Sequence, residues 1–139
     1  VPAITAASGA SAYSGIPLTH RDHAQSVTFA TGHLRDDSIN LDWPSPVNTR
    51  QTLVFYMGMT GLDIICRELI AHGMPKDMPI AIVASATLAH QHVVTGTLTD
   101  IKAKVEAAEV KPPALIIVGT VVSLREALNW YQPSLADEM

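Results

Sequence analysis

Cysteine is almost missing: the sequence contains one, Cys66. That excludes an internal disulfide and a cysteine-rich zinc site, and makes a reducing, cytoplasmic setting the expectation. Charge is scarce too, at 16% of the 139 residues, where about 25% is usual. Nine Lys and Arg stand against thirteen Asp and Glu, a net charge of −4. No basic run exists, so a nucleic-acid clamp, which needs a basic face, is excluded. So little charge leaves less material to cover a small surface, and predicts that part of the chain faces another protein surface. Long hydrophobic runs are lacking as well. Ala114 to Val122 is interrupted by Gly119 and falls far short of the ~20 residues a bilayer requires. The first residues have neither the basic flank nor the continuous apolar stretch of a signal peptide. Walker, G-x-G-x-x-G, H-E-x-x-H and G-x-S-x-G signatures are absent.

What is present points to a folded domain. Hydrophobic residues make up 47%, which excludes disorder, and the length suits one domain. The sequence starts Val1-Pro2 without an initiator Met, and the expectation is a fragment of a longer protein. Ala3 to Gly15 is built of small residues and reads as a short helix, capped by Thr5 or Ser8 and ended by Gly15 and Pro17. Its small side chains suit close approach to a sheet. Ser26 to Thr31 and Gln51 to Tyr56 read as strands, with a long polar loop from Gly32 to Arg50 between them. Leu62, Ile65, Cys66, Leu69 and Ile70 fall on one helical face. Thr60 and Asp63 have capping-box spacing before it, and Gly73 and Pro75 stop it. Strands are expected at Pro79 to Val83, Val93 to Leu98 and Ala114 to Val118. Helices are expected from Thr99 or Asp100 to Ala108 and from Ser123 to Trp130, followed by a loose acidic tail. Strands alternating with helices predict an α/β domain with a largely parallel sheet.

Few side chains announce chemistry. His20 and His23, or His90 and His92, form pairs, but a zinc site needs three or four converging ligands, and solvated histidines are the simpler reading. Arg21, after a Pro-bearing turn, has the geometry to clamp a carboxylate, or else pairs locally with Asp22. Cys66 lies on the apolar helix face and reads as core. Ligands of open α/β sheets lie beyond the carboxyl ends of the strands. Tyr56-Met57-Gly58, Ala84-Ser85-Ala86-Thr87 and Gly119-Thr120 are therefore candidate rims. Their side chains are small or apolar and suit a flat aromatic ligand held mainly by backbone groups.

Four segments, taken in order, carry a resemblance. They are Val1-Pro-Ala-Ile-Thr-Ala-Ala-Ser-Gly9, Gly15-Ile-Pro-Leu-Thr-His-Arg-Asp22, Leu53-Val-Phe-Tyr-Met-Gly58 and Pro113-Ala-Leu-Ile-Ile-Val-Gly119. Together they resemble the tetrapyrrole methylases, specifically the uroporphyrinogen-III C-methyltransferases, which also form the C-terminal part of siroheme synthase. The likeness runs from Val1 to about Tyr131 and covers only about the C-terminal half of that enzyme. It implies an α/β fold with a mixed, largely parallel sheet flanked by helices. Residues 1–24 would be the last helix and linker of a first methylase domain, and residues 25–139 the second domain. It implies S-adenosylmethionine as methyl donor, uroporphyrinogen III as substrate, precorrin-2 as product and a homodimer, with neither nucleic acid nor membrane as partner. The family's acid and base side chains lie in the first domain, so no catalytic residue is expected here and the isolated chain is expected to be inactive.

Carried over by position, Thr5, Ala6, Met57, Ala86, Pro113 and Ala114 would border the methyl donor. Tyr56 would face the tetrapyrrole, and Arg21 a substrate carboxylate. Ala86 stands where the family usually has glycine, and its methyl would crowd the donor if the backbone there required positive φ. Ala3 replaces a usual Gly, Ala10 a common Cys and Thr120 a common Arg. The segment Ala84 to His92 lacks the usual E-N-G-T start and Q-R pair. These departures motivate a second expectation, a non-catalytic interaction or dimerisation module of the same fold.

Overall fold

The computed structural model describes residues 2–31 and 50–132. The polar segment 32–49 and the acidic tail lie outside the described residues. The element order is α1 (Ala6–Ser14), β1 (Ser26–Thr31), β2 (Gln51–Tyr56), α2 (Leu62–Ala71), β3 (Pro79–Ala84), β4 (His92–Thr97), α3 (Ile101–Ala108), β5 (Ala114–Val118) and α4 (Arg125–Leu128). Among these residues no helix is long and apolar enough to cross a membrane.

The five strands form one mixed sheet in the order β1-β2-β5-β3-β4. Among the described residues only β1 and β2 pair in parallel; β2–β5, β5–β3 and β3–β4 are antiparallel. The mixed α/β architecture is as expected, but the sheet is not largely parallel. Two structural facts explain the difference. β3 and β4 form a hairpin, and β5 inserts head-to-tail between β2 and β3. A continuous branched run identifies a strand buried on both faces without fixing its direction.

The period-two alternation of side chains divides the core between two faces. Leu53 and Phe55 of β2, Ile80 and Ile82 of β3, and Ile116 and Val118 of β5 pack under Leu62, Ile65, Cys66 and Leu69 of α2 and Ile101 and Val105 of α3. The alternate residues Val54, Ala81, Val83, Leu115 and Ile117 face Ala7 and Ala10 of α1, Ile16, Ala24, Val121 and Val122. Ala7 and Ala10 are fully buried, so the small residues of α1 let its backbone lie close to the sheet. Burial pushes the Cys66 thiol up to about 11, with the Asp63 carboxylate adding to the shift. That suits a core residue rather than a nucleophile.

Helix ends differ from the sequence reading in detail. Thr5 is the residue before α1, but its side chain makes no capping bond; Gly15 ends the helix in the left-handed region at φ 74°. A Cβ at Gly15 would lie 2.6 Å from the Leu128 carbonyl oxygen, so glycine is needed there for conformation and for space. The Thr60–Asp63 capping box does not form, because a 3₁₀ turn over Met59–Gly61 leads directly into α2. Asp100 precedes α3, yet its carboxylate accepts the Thr97 N–H at 2.8 Å instead of capping the helix. The expected final helix is a 3₁₀ turn, Thr120–Leu124, followed by the four-residue α4.

Candidate functional site

Strand direction decides where a ligand can sit. β2 and β3 end where antiparallel β5 begins, as the pairing Ala84 to Ala114 shows. A pocket of about 460 Å³ opens at this end, between the start of α1 and the segments that leave the strands. Ile4, Thr5, Ala6 and Gly9 form one wall. Ser85, Ala86, Thr87 and Leu88 form the wall opposite, Tyr56 and Met57 lie beyond β2, and Val83, Pro113, Ala114 and Leu115 complete the lining. Its volume falls within the usual range for small-molecule sites, about 300–1,000 Å³.

All six residues expected to border a methyl donor, Thr5, Ala6, Met57, Ala86, Pro113 and Ala114, line this pocket, and so does Tyr56. Arg21 does not. It lines a shallow hollow with Thr19, His20, Ala24 and Gln25. That turn lies at the far end of the sheet: His23 Nδ1 is 3.0 Å from Thr120 Oγ1, just after β5, and the Gln25 N–H donates to the Arg50 carbonyl before β2. The expected Gly119-Thr120 rim is misplaced for the same reason. Because β5 runs antiparallel to its neighbours, its carboxyl end lies beside the start of β3, where the Gly119 N–H donates to the Pro79 carbonyl. The turn at Arg21 is held by a bridge between His20 and Ala24 and by the Asp22 N–H donating to His20 Nδ1 at 3.1 Å. His20 and His23 meet edge-on, 5.2 Å between ring centroids. No cluster of three His, Cys, Asp or Glu able to hold a metal occurs among the described residues.

The lining contains no charged side chain. Its polar groups are hydroxyls and backbone, which suits a neutral, flat ligand portion and gives an ionic one no partner. Three lining residues, Met57, Ser85 and Thr87, have positive φ (54°, 50° and 71°). Such conformations are uncommon outside glycine, least favourable for a β-branched residue, and concentrate at binding sites. Ala86 is not among the positive-φ residues, so the condition under which its methyl would crowd the donor is not met; its neighbours Ser85 and Thr87 take the positive φ instead.

Two sets of bonds hold the walls. The Tyr56 hydroxyl reaches the start of α1, bonding Thr5 Oγ1 and accepting the Ala7 N–H at 3.3 Å. It therefore serves the unsatisfied first turn that the Thr5 side chain leaves open. Buried Gln91 joins Thr87 to the Tyr13 carbonyl. Sequence reasoning missed Gln91, as it missed Ile4, Gly9, Val83, Leu88 and Leu115 of the lining. At the other end of α1, Trp130 Nε1 donates to the Ala12 carbonyl at 2.7 Å, and Arg125 donates to the Ser14 carbonyl. Burial lowers the pKa of Arg125.

Comparison with known proteins shows the family. Residues 1–102 match the sequence model of the tetrapyrrole (corrin/porphyrin) methylases. Siroheme synthase of Pseudoalteromonas atlantica is 66% identical over 131 residues, which is 94% of this chain and 28% of that protein. The chain thus spans under a third of the length of the curated relatives it matches. A uroporphyrin-III C-methyltransferase structure from Thermus thermophilus superposes with a TM-score of 0.74 at 34% identity, covering 92% of this chain and 53% of that one. Another from the same organism, complexed with S-adenosylhomocysteine, has a TM-score of 0.68 at 33% identity, covering 89% and 53%. With its fold, its pocket and these likenesses in one order along the sequence, the chain belongs to the tetrapyrrole methylase family.

Proposed function

We propose that this chain supplies the adenine-side half of the donor pocket in an S-adenosylmethionine-dependent C-methyltransferase. The substrate is uroporphyrinogen III and the product precorrin-2, on the way to siroheme or a related tetrapyrrole. The observation that carries this reading is the uncharged pocket at the ends of β2 and β3. An adenine ring fits apolar walls with backbone groups at their edges. The ammonium and carboxylate of the methionine end would find no partner in this lining and require residues outside it.

In this reading residues 1–24 are the last helix and linker of a preceding methylase domain, and residues 25–139 the second domain. Thr5, Ala6, Ala86, Pro113 and Ala114 contact the donor, Met57 lies at the mouth, and Tyr56 fixes the start of α1 from the substrate side. The bound donor supplies an electrophilic methyl on a sulfonium. An electron-rich pyrrole carbon would take that methyl as the carbon–sulfur bond breaks, leaving a neutral thioether and a positive charge on the pyrrole that is discharged by loss of a proton. The residues of this lining would orient the donor in line and exclude water; with no carboxylate, imidazole or amine among them, that proton passes to a base outside the lining. Arg21, at the far end of the sheet, is assigned no part in this pocket.

The test is calorimetric titration of S-adenosylhomocysteine into the longest natural polypeptide carrying this chain, and into the 139-residue chain alone. Saturable binding and methylation of uroporphyrinogen III by the longer form are expected, with much weaker binding and no turnover by the shorter. Turnover by the short chain would overturn the assignment of an incomplete site. Absence of binding to both, together with a stable dimer by light scattering, would favour the non-catalytic module.

A further inference from the structure

The two walls of the pocket belong to segments far apart in sequence, α1 and the 85–91 turn between β3 and β4, and one buried side chain joins them. Gln91 is 6% exposed. Its Oε1 accepts the Thr87 N–H at 2.8 Å, and its Nε2 donates to the Tyr13 carbonyl at 3.2 Å. Tyr13 lies in the last turn of α1, where carbonyls have no partner within the helix. Thr87 lies on the pocket wall with φ 71°, a conformation that a β-branched residue keeps only when its surroundings enforce it. Gln91 itself is not part of the lining.

The walls also touch without any slack. A Cβ built on Gly9 of α1 would lie 3.1 Å from Thr87 Cγ2, so the spacing between helix and turn is set at Thr87. Gln91 makes the direct hydrogen-bonded link between turn and helix; a second, indirect link runs through Tyr131, whose ring centroid lies 4.9 Å from that of Tyr13 in α1. Leu88 N–H donates to the Ser85 carbonyl and Gln91 N–H to the Leu88 carbonyl, both within the turn. The Tyr131 hydroxyl donates to the Leu88 carbonyl and joins the turn to the C-terminal segment.

We propose that Gln91 is the positioning residue of the donor pocket: its carboxamide fixes Thr87 in its left-handed conformation and locks the 85–91 wall to α1, setting the width of the site. It acts on the ligand through Thr87 and touches no reacting atom. The ligand named here rests on the function proposed above.

The test uses Gln91→Leu and Gln91→Glu in the longest natural polypeptide carrying this chain. Leucine removes both bonds; glutamate keeps the acceptor for the Thr87 N–H and loses the donor to Tyr13. For Gln91→Leu, the Kd for S-adenosylhomocysteine and the KM for S-adenosylmethionine are each expected to rise about tenfold, the scale of one or two lost hydrogen bonds. kcat is expected to stay within about twofold, and Gln91→Glu to fall between Gln91→Leu and the parent. Unchanged Kd and KM, or a fall in kcat with KM held, overturns the proposal. Hydrogen exchange without ligand separates it from the proposed function. Faster exchange confined to the 85–91 turn and α1 supports the lock even if the parent binds no S-adenosylhomocysteine. Unchanged exchange, or acceleration spread over β3 and β5, overturns it. Should Gln91→Leu fail to fold, Gln91→Glu decides by the same measurements.

Discussion

Thr52 offers the sharpest check on the packing described above. It lies on β2, is fully buried, and its Oγ1 has no hydrogen-bond partner. A buried hydroxyl without a partner costs about 1–3 kcal/mol. Valine has nearly the same shape, fills the same space and favours strands. At the lower end of that range, Thr52→Val is expected to stabilise the chain by about 1 kcal/mol. For a domain of this size, that corresponds to a rise in Tm of about 3–5 °C. Urea unfolding followed by circular dichroism measures it, and the m-value should not change. Thr52→Ala loses the same hydroxyl but leaves a methyl-sized gap, and is expected to lose about 1 kcal/mol relative to Thr52→Val. A neutral or destabilising Thr52→Val would mean that the hydroxyl is satisfied, for instance by a buried water, and would refute the reasoning.

Two further outcomes follow from side chains outside the core. Tyr56→Phe removes the hydroxyl that serves the first turn of α1; it is expected to cost about 1–2 kcal/mol, the scale of a lost helix cap, and to weaken S-adenosylhomocysteine binding, both measured on the purified variant. Asp100 has its pKa lowered, chiefly because its carboxylate accepts the Thr97 N–H, with Lys104 adding to the effect. A depressed carboxylate stabilises the fold above its ordinary value of 3.8 and loses that contribution as pH falls through the lowered value. The stability difference between the parent and Asp100→Asn should therefore be constant near neutrality and shrink below about pH 4, as read from urea midpoints.

Much of the fold was legible before the structure because its strands are short apolar runs with clear stops. Ser26–Thr31, Gln51–Tyr56 and Ala114–Val118 lie where their residue patterns placed them. β4 begins one residue earlier, at the exposed His92, because pairing with Ala84 extends the hairpin regardless of side-chain polarity. Strand direction was not legible, since a branched apolar run reads the same both ways. That one gap accounts for the parallel sheet that is not there and for the misplaced Gly119-Thr120 rim. Around the pocket, the strand-end rule pointed to Tyr56, Met57, Ser85, Ala86 and Thr87, which do line it, whereas Thr5, Ala6, Pro113 and Ala114 came from the resemblance. Thr5 and Pro113 share no local pattern with those rims, and only the sheet topology brings them together. Gln91 was illegible for another reason: its partners are a backbone carbonyl at Tyr13 and a backbone amide at Thr87, and neither leaves a trace in side-chain identity.

The position of β5 has a consequence for how the chain is made. Among the described strands the last in sequence is the central one, and β2 and β3 pair with it rather than with each other. Before β5 is made the nascent chain holds a β3–β4 hairpin and a β1–β2 pair, each with an open apolar edge. Closing the sheet requires a strand at residues 114–118 to meet partners some sixty residues earlier, from Leu53 to Phe55, a loop whose entropy must be lost before any pairing is gained. A nonsense mutation shortly before Ala114 would therefore do more than shorten the protein: it would leave two sticky half-sheets, the kind of species that chaperones hold or proteases remove.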